Sequence, residues 1–260
     1  LSSREPQLGF EPREGQHLIS HGQATDHRDM LVANSSERGG HDDTVSRTSR
    51  QFMAPFDQNP ATKTDMTMTP EQSFQALKAG HERFMAGKSR HPHSSAHRLK
   101  QLVDGQRPMA AILSCSDSRV PVELLFDAGF GDLYVVRTAG NTSYSDTIGS
   151  LDYGVLSLGI HLIVVMGHER CGAVTAACTS EETLTPALSD LVGTIRSNLK
   201  RVGMSNDVGA ACRANSMESA RSLVHGSALM QERVKQGTLR IEAACYTLEE
   251  GAIEWLGAVS

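Results

Sequence analysis

The pattern of apolar and polar positions changes character near residue 69. In residues 1–68 only 18 side chains belong to the apolar set, and 10 of those are Leu, Ile, Val or Phe. A stretch so poor in large apolar groups cannot bury enough surface to offset its chain entropy. Ser35 to Arg50 mixes both charge signs without helical or strand period, while Phe52, Met53 and Phe56 offer a few anchor points. Residues 1–68 are therefore expected to be an extension that is disordered or draped over a partner. Its histidines (His17, His21, His27 and His41) lack close ligand spacing.

From Thr69 the pattern is periodic. Thr69-Pro70-Glu71-Gln72 reads as a capping residue followed by Pro at the first helical position, and Phe74, Leu77, His81, Phe84 and Met85 recur at helical spacing up to Gly87. A short helix is expected over Ala96 to Val103. Ala110 to Ser114, Asp132 to Arg137 and His161 to Gly167 read as strands, with helices over Asp146 to Leu158 and Cys171 to Ala177. Short apolar strands separated by helices imply a parallel sheet covered on both faces. Thr185 to Arg201 and Gly209 to Val234 read as two longer amphipathic helices joined by the polar loop Gly203 to Asp207. Thr238 to Tyr246 and Ala252 to Leu256 close the chain as a hairpin or a strand with a short return. The expected class is α/β, and residues 69–260 are expected to form a single domain.

Charge and composition narrow the partners. With 25 Lys+Arg against 30 Asp+Glu, net −5, there is no basic surplus to neutralise a phosphate backbone, so nucleic acid is not expected. The longest apolar run, Leu162 to Gly167, falls far short of the roughly 20 residues of a membrane helix. No basic-then-apolar signal opens the chain, although a start at Leu1 leaves room for a targeting segment already removed. Five cysteines, an odd number without tight spacing, argue for reduced thiols or metal ligands and for a reducing compartment. A soluble protein of the cytoplasm or an organelle interior is expected.

Ligands of open parallel sheets bind beyond the carboxyl ends of the strands, where the strand order reverses. Cys115 follows the first expected strand, His168 follows the third, and Cys171 lies three residues further on. Two thiolates and an imidazole, with a fourth position left to water, form the donor set of a catalytic zinc site rather than a closed structural one. Borderline-soft S2N ligation favours zinc, with cobalt or iron as conceivable substitutes. Asp117 and Arg119 stand two and four residues after the first cysteine. A carboxylate there can accept a hydrogen bond from metal-bound hydroxide while the guanidinium fork holds it off the metal.

Cys115-Ser116-Asp117-Ser118-Arg119 together with Gly167-His168-Glu169-Arg170-Cys171-Gly172-Ala173-Val174 resembles the β-class carbonic anhydrases over about residues 69–257, including Val135 to Asn141. The resemblance implies a mostly parallel sheet with an N-terminal helical arm and an added C-terminal strand. It implies one zinc ion per subunit on Cys115, His168 and Cys171, and reversible hydration of carbon dioxide to bicarbonate and a proton by zinc-bound hydroxide. Asp117 and Arg119 would be catalytic. Gln106, Tyr134, Tyr153 and Gly172 would bind substrate, with Val120 and Leu156 completing a dry wall. Ile112 and Ser114 stand where bicarbonate-inhibited bacterial members carry Trp and Gly, which implies an open-type site without the second bicarbonate pocket. Cys178, Cys212 and Cys245 match no motif and are expected to be core or helix-surface thiols.

The resemblance further implies a dimer or tetramer. Its first helix would reach across the partner, and with the site near the dimer interface the sequence leaves open whether Gln106 and Tyr153 serve the zinc of their own subunit or of the other. Rival readings of the same residues are hydrolysis of carbonyl sulfide or carbon disulfide, and a zinc-stabilised assembly scaffold that binds a protein through residues 1–68.

Overall fold

The computed structural model describes residues 68–179, 184–203 and 207–260, so the expected extension, residues 1–68, lies almost wholly outside them. Helix α1 (Pro70–Met85) begins with a reciprocal cap: Thr69 Oγ1 accepts the Gln72 N–H at 3.2 Å, and Gln72 Oε1 accepts the Thr69 N–H at 2.8 Å. Then follow α2 (Ala96–Gln101), β1 (Ala110–Cys115), α3 (Val122–Leu125), β2 (Leu133–Thr138) and a 3-10 turn (Ala139–Asn141). Next come α4 (Ser145–Ser157), β3 (Leu162–His168), α5 (Gly172–Thr179) and α6 (Pro186–Arg201). The chain closes with α7 (Val208–Gly226), α8 (Ala228–Lys235), β4 (Arg240–Tyr246) and β5 (Ile253–Val259).

The five strands lie in the order β2-β1-β3-β4-β5. All pairs are parallel except β4–β5, which closes as an antiparallel hairpin with an irregularity at Ala243/Ala244. The chain leaves β1 toward β2 on one side and returns to β3 on the other. The strand order therefore reverses between β1 and β3, and the crevice at their carboxyl ends is where such sheets bind ligands.

Successive side chains of β1 and β3 point to opposite faces, and because both faces are covered every residue of the two strands is buried. Ala111, Leu113, Ile163 and Val165 pack toward Leu151, Leu223 and Met230 of α4, α7 and α8. Ala110, Ile112, Leu162 and Val164 pack toward Phe74, Leu77, Val122 and Phe126 on the opposite face. The arm helix α1 is seated on its own chain, its Phe74 ring edge-on to Trp255 of β5 at 4.8 Å. A third cluster, with Val174, Val192, Ile195, Leu199 and Ala211, gathers around Cys115 and Cys171 at the carboxyl end of the sheet.

One expected element is corrected. Gly209 to Val234 is two helices, not one, because Ser227 has an extended backbone and caps α8, its Oγ accepting the Met230 N–H at 3.0 Å. The same hydroxyl donates to Asp152 Oδ1 on α4 at 2.5 Å, a tertiary contact that holds the break in place. Of the expected loop Gly203 to Asp207, residues 204–206 lie outside the described residues.

Candidate metal centre

Neighbouring parallel strands β1 and β3 deliver Cys115 and His168 to one rim, since Ser114 stands opposite Met166 in the ladder. Cys171 joins them because Arg170 turns through a left-handed conformation, φ 52°, and swings the chain into α5. The two Sγ atoms are 3.9 Å apart, and the possible ligand atoms of Cys115, His168 and Cys171 all lie within 4.8 Å of one another. All three residues are buried.

His168 is set to present a lone pair. Its Nδ1 lies 2.8 Å from the Glu169 carbonyl, an acceptor only, so Nδ1 carries the proton and Nε2 is bare. That buried Nε2 has no hydrogen-bond partner. Beside it, Asp117 Oδ2 stands 3.8 Å away. Arg119 grips Asp117 through a fork, Nε to Oδ1 at 2.9 Å and Nη2 to Oδ2 at 2.7 Å, and its own N–H donates to Oδ1 at 2.9 Å. These bonds from Arg119 hold the carboxyl well below the usual carboxylate range against a partial burial penalty.

The family model described as carbonic anhydrase matches residues 110–253. Carbonic anhydrase 2 of Mycobacterium tuberculosis is 39% identical over 188 residues, covering 70% of this chain and 90% of that protein. Among solved structures, the Coccomyxa β-carbonic anhydrase in complex with acetazolamide shares the fold at a TM-score of 0.56 and 22% identity, over 72% of this chain and 86% of that one. A chain from the structures of two tetrameric β-carbonic anhydrases of Sordaria macrospora shares it at a TM-score of 0.56 and 21% identity, over 72% of this chain and 99% of that one.

The chain belongs to the β-carbonic anhydrase family. Its activity is accordingly that of a carbonic anhydrase. The comparisons support neither the sulfide-hydrolase nor the scaffold reading.

Zinc, the metal of the β-carbonic anhydrases, fits this donor set. Two tetrahedral Zn–S bonds of about 2.3 Å separate their sulfurs by about 3.8 Å, which the 3.9 Å pair meets without rearrangement. The two sulfurs lie within hydrogen-bond reach of each other. Hydrogen bonding from Cys171 and from backbone groups that include the Gly140 N–H holds the Cys115 thiol low against its burial. The bond to Cys115, together with burial, pushes Cys171 up. Binding of a divalent cation would deprotonate both thiols. By contrast, burial is the main cause that pushes Cys212 up to about 11 and Cys245 to about 12, and both sit in the core as thiols.

The remaining expected site residues are distributed differently. Gly172 opens α5 next to Cys171, and a Cβ there would meet no atom within 4 Å, so its backbone faces open space. Val120 is buried in the cluster on the α1 side of the sheet. Gln106 lies before the amino end of β1, on a shallow groove with Val103 and Phe130. Tyr134 stands opposite Ala111, also near the amino ends, with its ring 6.4 Å from that of Tyr153, which is 45% exposed. At about 3.3 Å per strand residue, the amino end of β1 lies roughly 16 Å from Cys115, so the chain does not bring Gln106 to its own cysteine cluster.

Two participants carried no expected role. Arg137, opposite Ser114 on β2, clamps the Cys115–Arg119 loop, its Nε donating to the Cys115 carbonyl at 3.0 Å and its Nη2 to the Asp117 carbonyl at 2.6 Å. The Gly140 N–H donates to Cys115 Sγ at 3.3 Å. Both belong to the Val135 to Asn141 segment quoted for the family resemblance, which was the signal available in the sequence.

Proposed function

We propose that the chain catalyses zinc-dependent, reversible hydration of carbon dioxide to bicarbonate and a proton, with Cys115, His168 and Cys171 holding the metal. The observation that carries this reading is the buried, unpartnered His168 Nε2 facing two thiol sulfurs 3.9 Å apart, beside a carboxylate that an arginine keeps ionised. Zinc, when bound, supplies the Lewis acidity that brings the pKa of water to near ~7. Asp117, ionised and acceptor-only, takes a hydrogen bond from the attacking water, so that the oxygen presents a lone pair to carbon. Arg119 keeps Asp117 in that orientation and away from the ligand position. Gly172, at the first turn of α5, offers its N–H toward a substrate oxygen.

Gln106, Tyr134 and Tyr153 enter the same reading through self-association. Exposed in one chain and far from its own Cys115, Gln106 is assigned to the substrate pocket of a second subunit, with Tyr153 and Tyr134 forming an apolar wall. The tetrameric relatives from Sordaria macrospora support a dimer or tetramer here. No helix among the described residues is long and apolar enough to cross a membrane.

The test is stopped-flow carbon dioxide hydration by zinc-quantified protein, with Cys115→Ser in parallel. Rapid hydration that disappears with the metal in the variant is the expected outcome. A variant that keeps both full zinc and full rate overturns the ligand assignment.

A further inference from the structure

We infer that Asn215, far from Cys115 in sequence and on a different element, is a positioning residue for the metal centre: it fixes Gly140 so that the Gly140 N–H donates to the Cys115 sulfur. Gly140 adopts a left-handed conformation, φ 67° and ψ 26°, inside the turn after β2. A Cβ there would lie 2.6 Å from Ile195 Cδ1 and 3.2 Å from Ala173 Cβ, so only glycine fits between α5 and α6. A residue so unrestricted needs an external restraint to hold one peptide orientation. Asn215 provides it, its Nδ2 donating to the Gly140 carbonyl at 2.8 Å while the Gly140 N–H, at the other end of the residue, reaches Cys115 Sγ at 3.3 Å.

Asn215 is itself held by a hydrogen-bond chain with only one consistent polarity. A carbonyl accepts and cannot donate, so Asn215 must turn its amide nitrogen to Gly140. Its Oδ1 is then left to accept from Asn198 Nδ2, at 2.9 Å. Asn198 Nδ2 also donates to Ser219 Oγ at 3.2 Å, and Asn198 Oδ1 accepts from Arg201 Nη1 at 3.1 Å. A guanidinium only donates, so the far end of the chain dictates the same direction. Asn215, Asn198 and Ser219 are 0%, 2% and 0% exposed. Three polar side chains in the α6–α7 core carry a desolvation cost that apolar residues would avoid, and the group they serve is the peptide that donates to the sulfur. A hydrogen bond to a thiolate stabilises the deprotonated, orientated sulfur that a metal binds and lowers the energy of its electrons, which sets the charge-transfer band.

This inference rests on Cys115 being a metal ligand, and the experiment separates the two. Wild type, Asn215→Leu, Asn215→Asp, Ser219→Ala and Cys115→Ser are purified, checked for folding by circular dichroism, and loaded with zinc or cobalt(II). Zinc affinity is read by competition with a chromophoric chelator, and the thiolate-to-cobalt charge-transfer band is read in the near ultraviolet. Asn215→Asp preserves size and polarity but turns an acceptor toward the Gly140 carbonyl, so it serves where Asn215→Leu does not fold. Both Asn215 variants are expected to bind zinc about 10- to 100-fold more weakly and to move the cobalt band to longer wavelength. Ser219→Ala disturbs the same core but spares the bonds of Asn215, and its band is expected to stay in place. Folded Asn215 variants with the wild-type band and affinity overturn the inference, as does an equal shift in Ser219→Ala. Should Cys115→Ser keep the wild-type band, the ligand assignment itself fails, and with it the inference.

Discussion

Asp117 and Asp127 are both gripped by an arginine, and both titrate below the usual carboxylate range, but their surroundings put that grip to different use. Asp117 is paired within one short loop, two residues from an Arg119 whose side chain is 53% exposed, and it keeps an oxygen 3.8 Å from the bare nitrogen of His168. Asp127 is buried just after α3, its side chain shut off from solvent. Arg83 of α1 donates to its Oδ2 at 2.6 Å, and the N–H groups of Arg90 and His91 donate to its Oδ1 at 2.9 Å each. Each carboxylate accepts three hydrogen bonds, two on Oδ1 and one on Oδ2, so the difference lies in where the remaining acceptor site points. That of Asp117 lies beside the metal-ligand cluster and is partly open to solvent, whereas Asp127 is closed off and joins α1 and the segment after it to the end of α3. An ion pair thus reads as functional through what its open acceptor site faces.

The sharpest way to break this comparison is Asp117→Asn. Turnover in carbon dioxide hydration is expected to fall by about 10²–10⁴-fold, the range for a group that handles a proton in the transition state. Because a partly exposed ion pair contributes only ~0–1 kcal/mol, the melting temperature should move by no more than a few degrees. Arg119→Ala is expected to produce a smaller loss of rate and to free Asp117 toward the metal, which X-ray absorption on the zinc-loaded variant would register as an added oxygen ligand. Unchanged turnover with three protein ligands would remove Arg119 from the mechanism.

Asp127→Ala should show the inverse profile. Removing the partner of a largely buried pair, which is also the acceptor of two backbone N–H groups, costs about 3 kcal/mol, or roughly 6–12 °C in melting temperature for a domain of this size. Turnover per folded molecule should be preserved. The pH dependence has a defined sign. Although burial opposes it, the bonds from Arg83, Arg90 and His91 hold the folded carboxyl below its unfolded value of ~3.9. Its contribution is therefore complete above about pH 4 and is lost as the pH falls through the folded value. Denaturant midpoints measured from pH 5 downward should converge between wild type and Asp127→Ala; a constant gap would exclude the charge as its origin.

How far the sequence reveals each region follows the same division. Cys115, His168 and Cys171 were legible because strand ends and a one-turn spacing fix where they fall, and Asp117 with Arg119 because their pairing is local. The bond from Gly140 to Cys115 and the support from Asn215 were not legible, since they depend on peptide orientations that only packing against Ile195 and Ala173 determines. The break between α7 and α8 escaped for a similar reason: Leu223, Val224, Met230 and Val234 keep an apolar rhythm across it, whereas Asp152, 75 residues away, secures Ser227. The family resemblance supplied Gln106 and Tyr153 as residue types, but not the chain whose metal they serve.

The smallest expected effect probes the structural region from α1. His81 Nδ1 lies 3.1 Å from the Leu125 carbonyl, which assigns the proton to Nδ1, and its Nε2 accepts the Ile253 N–H at 3.2 Å, so the neutral ring links α1 to both α3 and β5. A second proton would turn Nε2 from acceptor to donor against that N–H. Burial accordingly holds its pKa below 6.5, outweighing the Leu125 bond and the nearby Glu82. The unfolded chain takes up this proton below about pH 6.5 and the folded chain only at lower pH, so stability is complete above 6.5 and declines as the pH falls, by at most about 1.4 kcal/mol per pH unit. Chemical denaturation between pH 7 and 5 should show this slope in wild type and lose it in His81→Phe. The Asp117→Asn variant should retain the slope unchanged, since its carboxylate lies in the other region. A slope abolished by Asp117→Asn would mean that the two regions are coupled and would break the comparison.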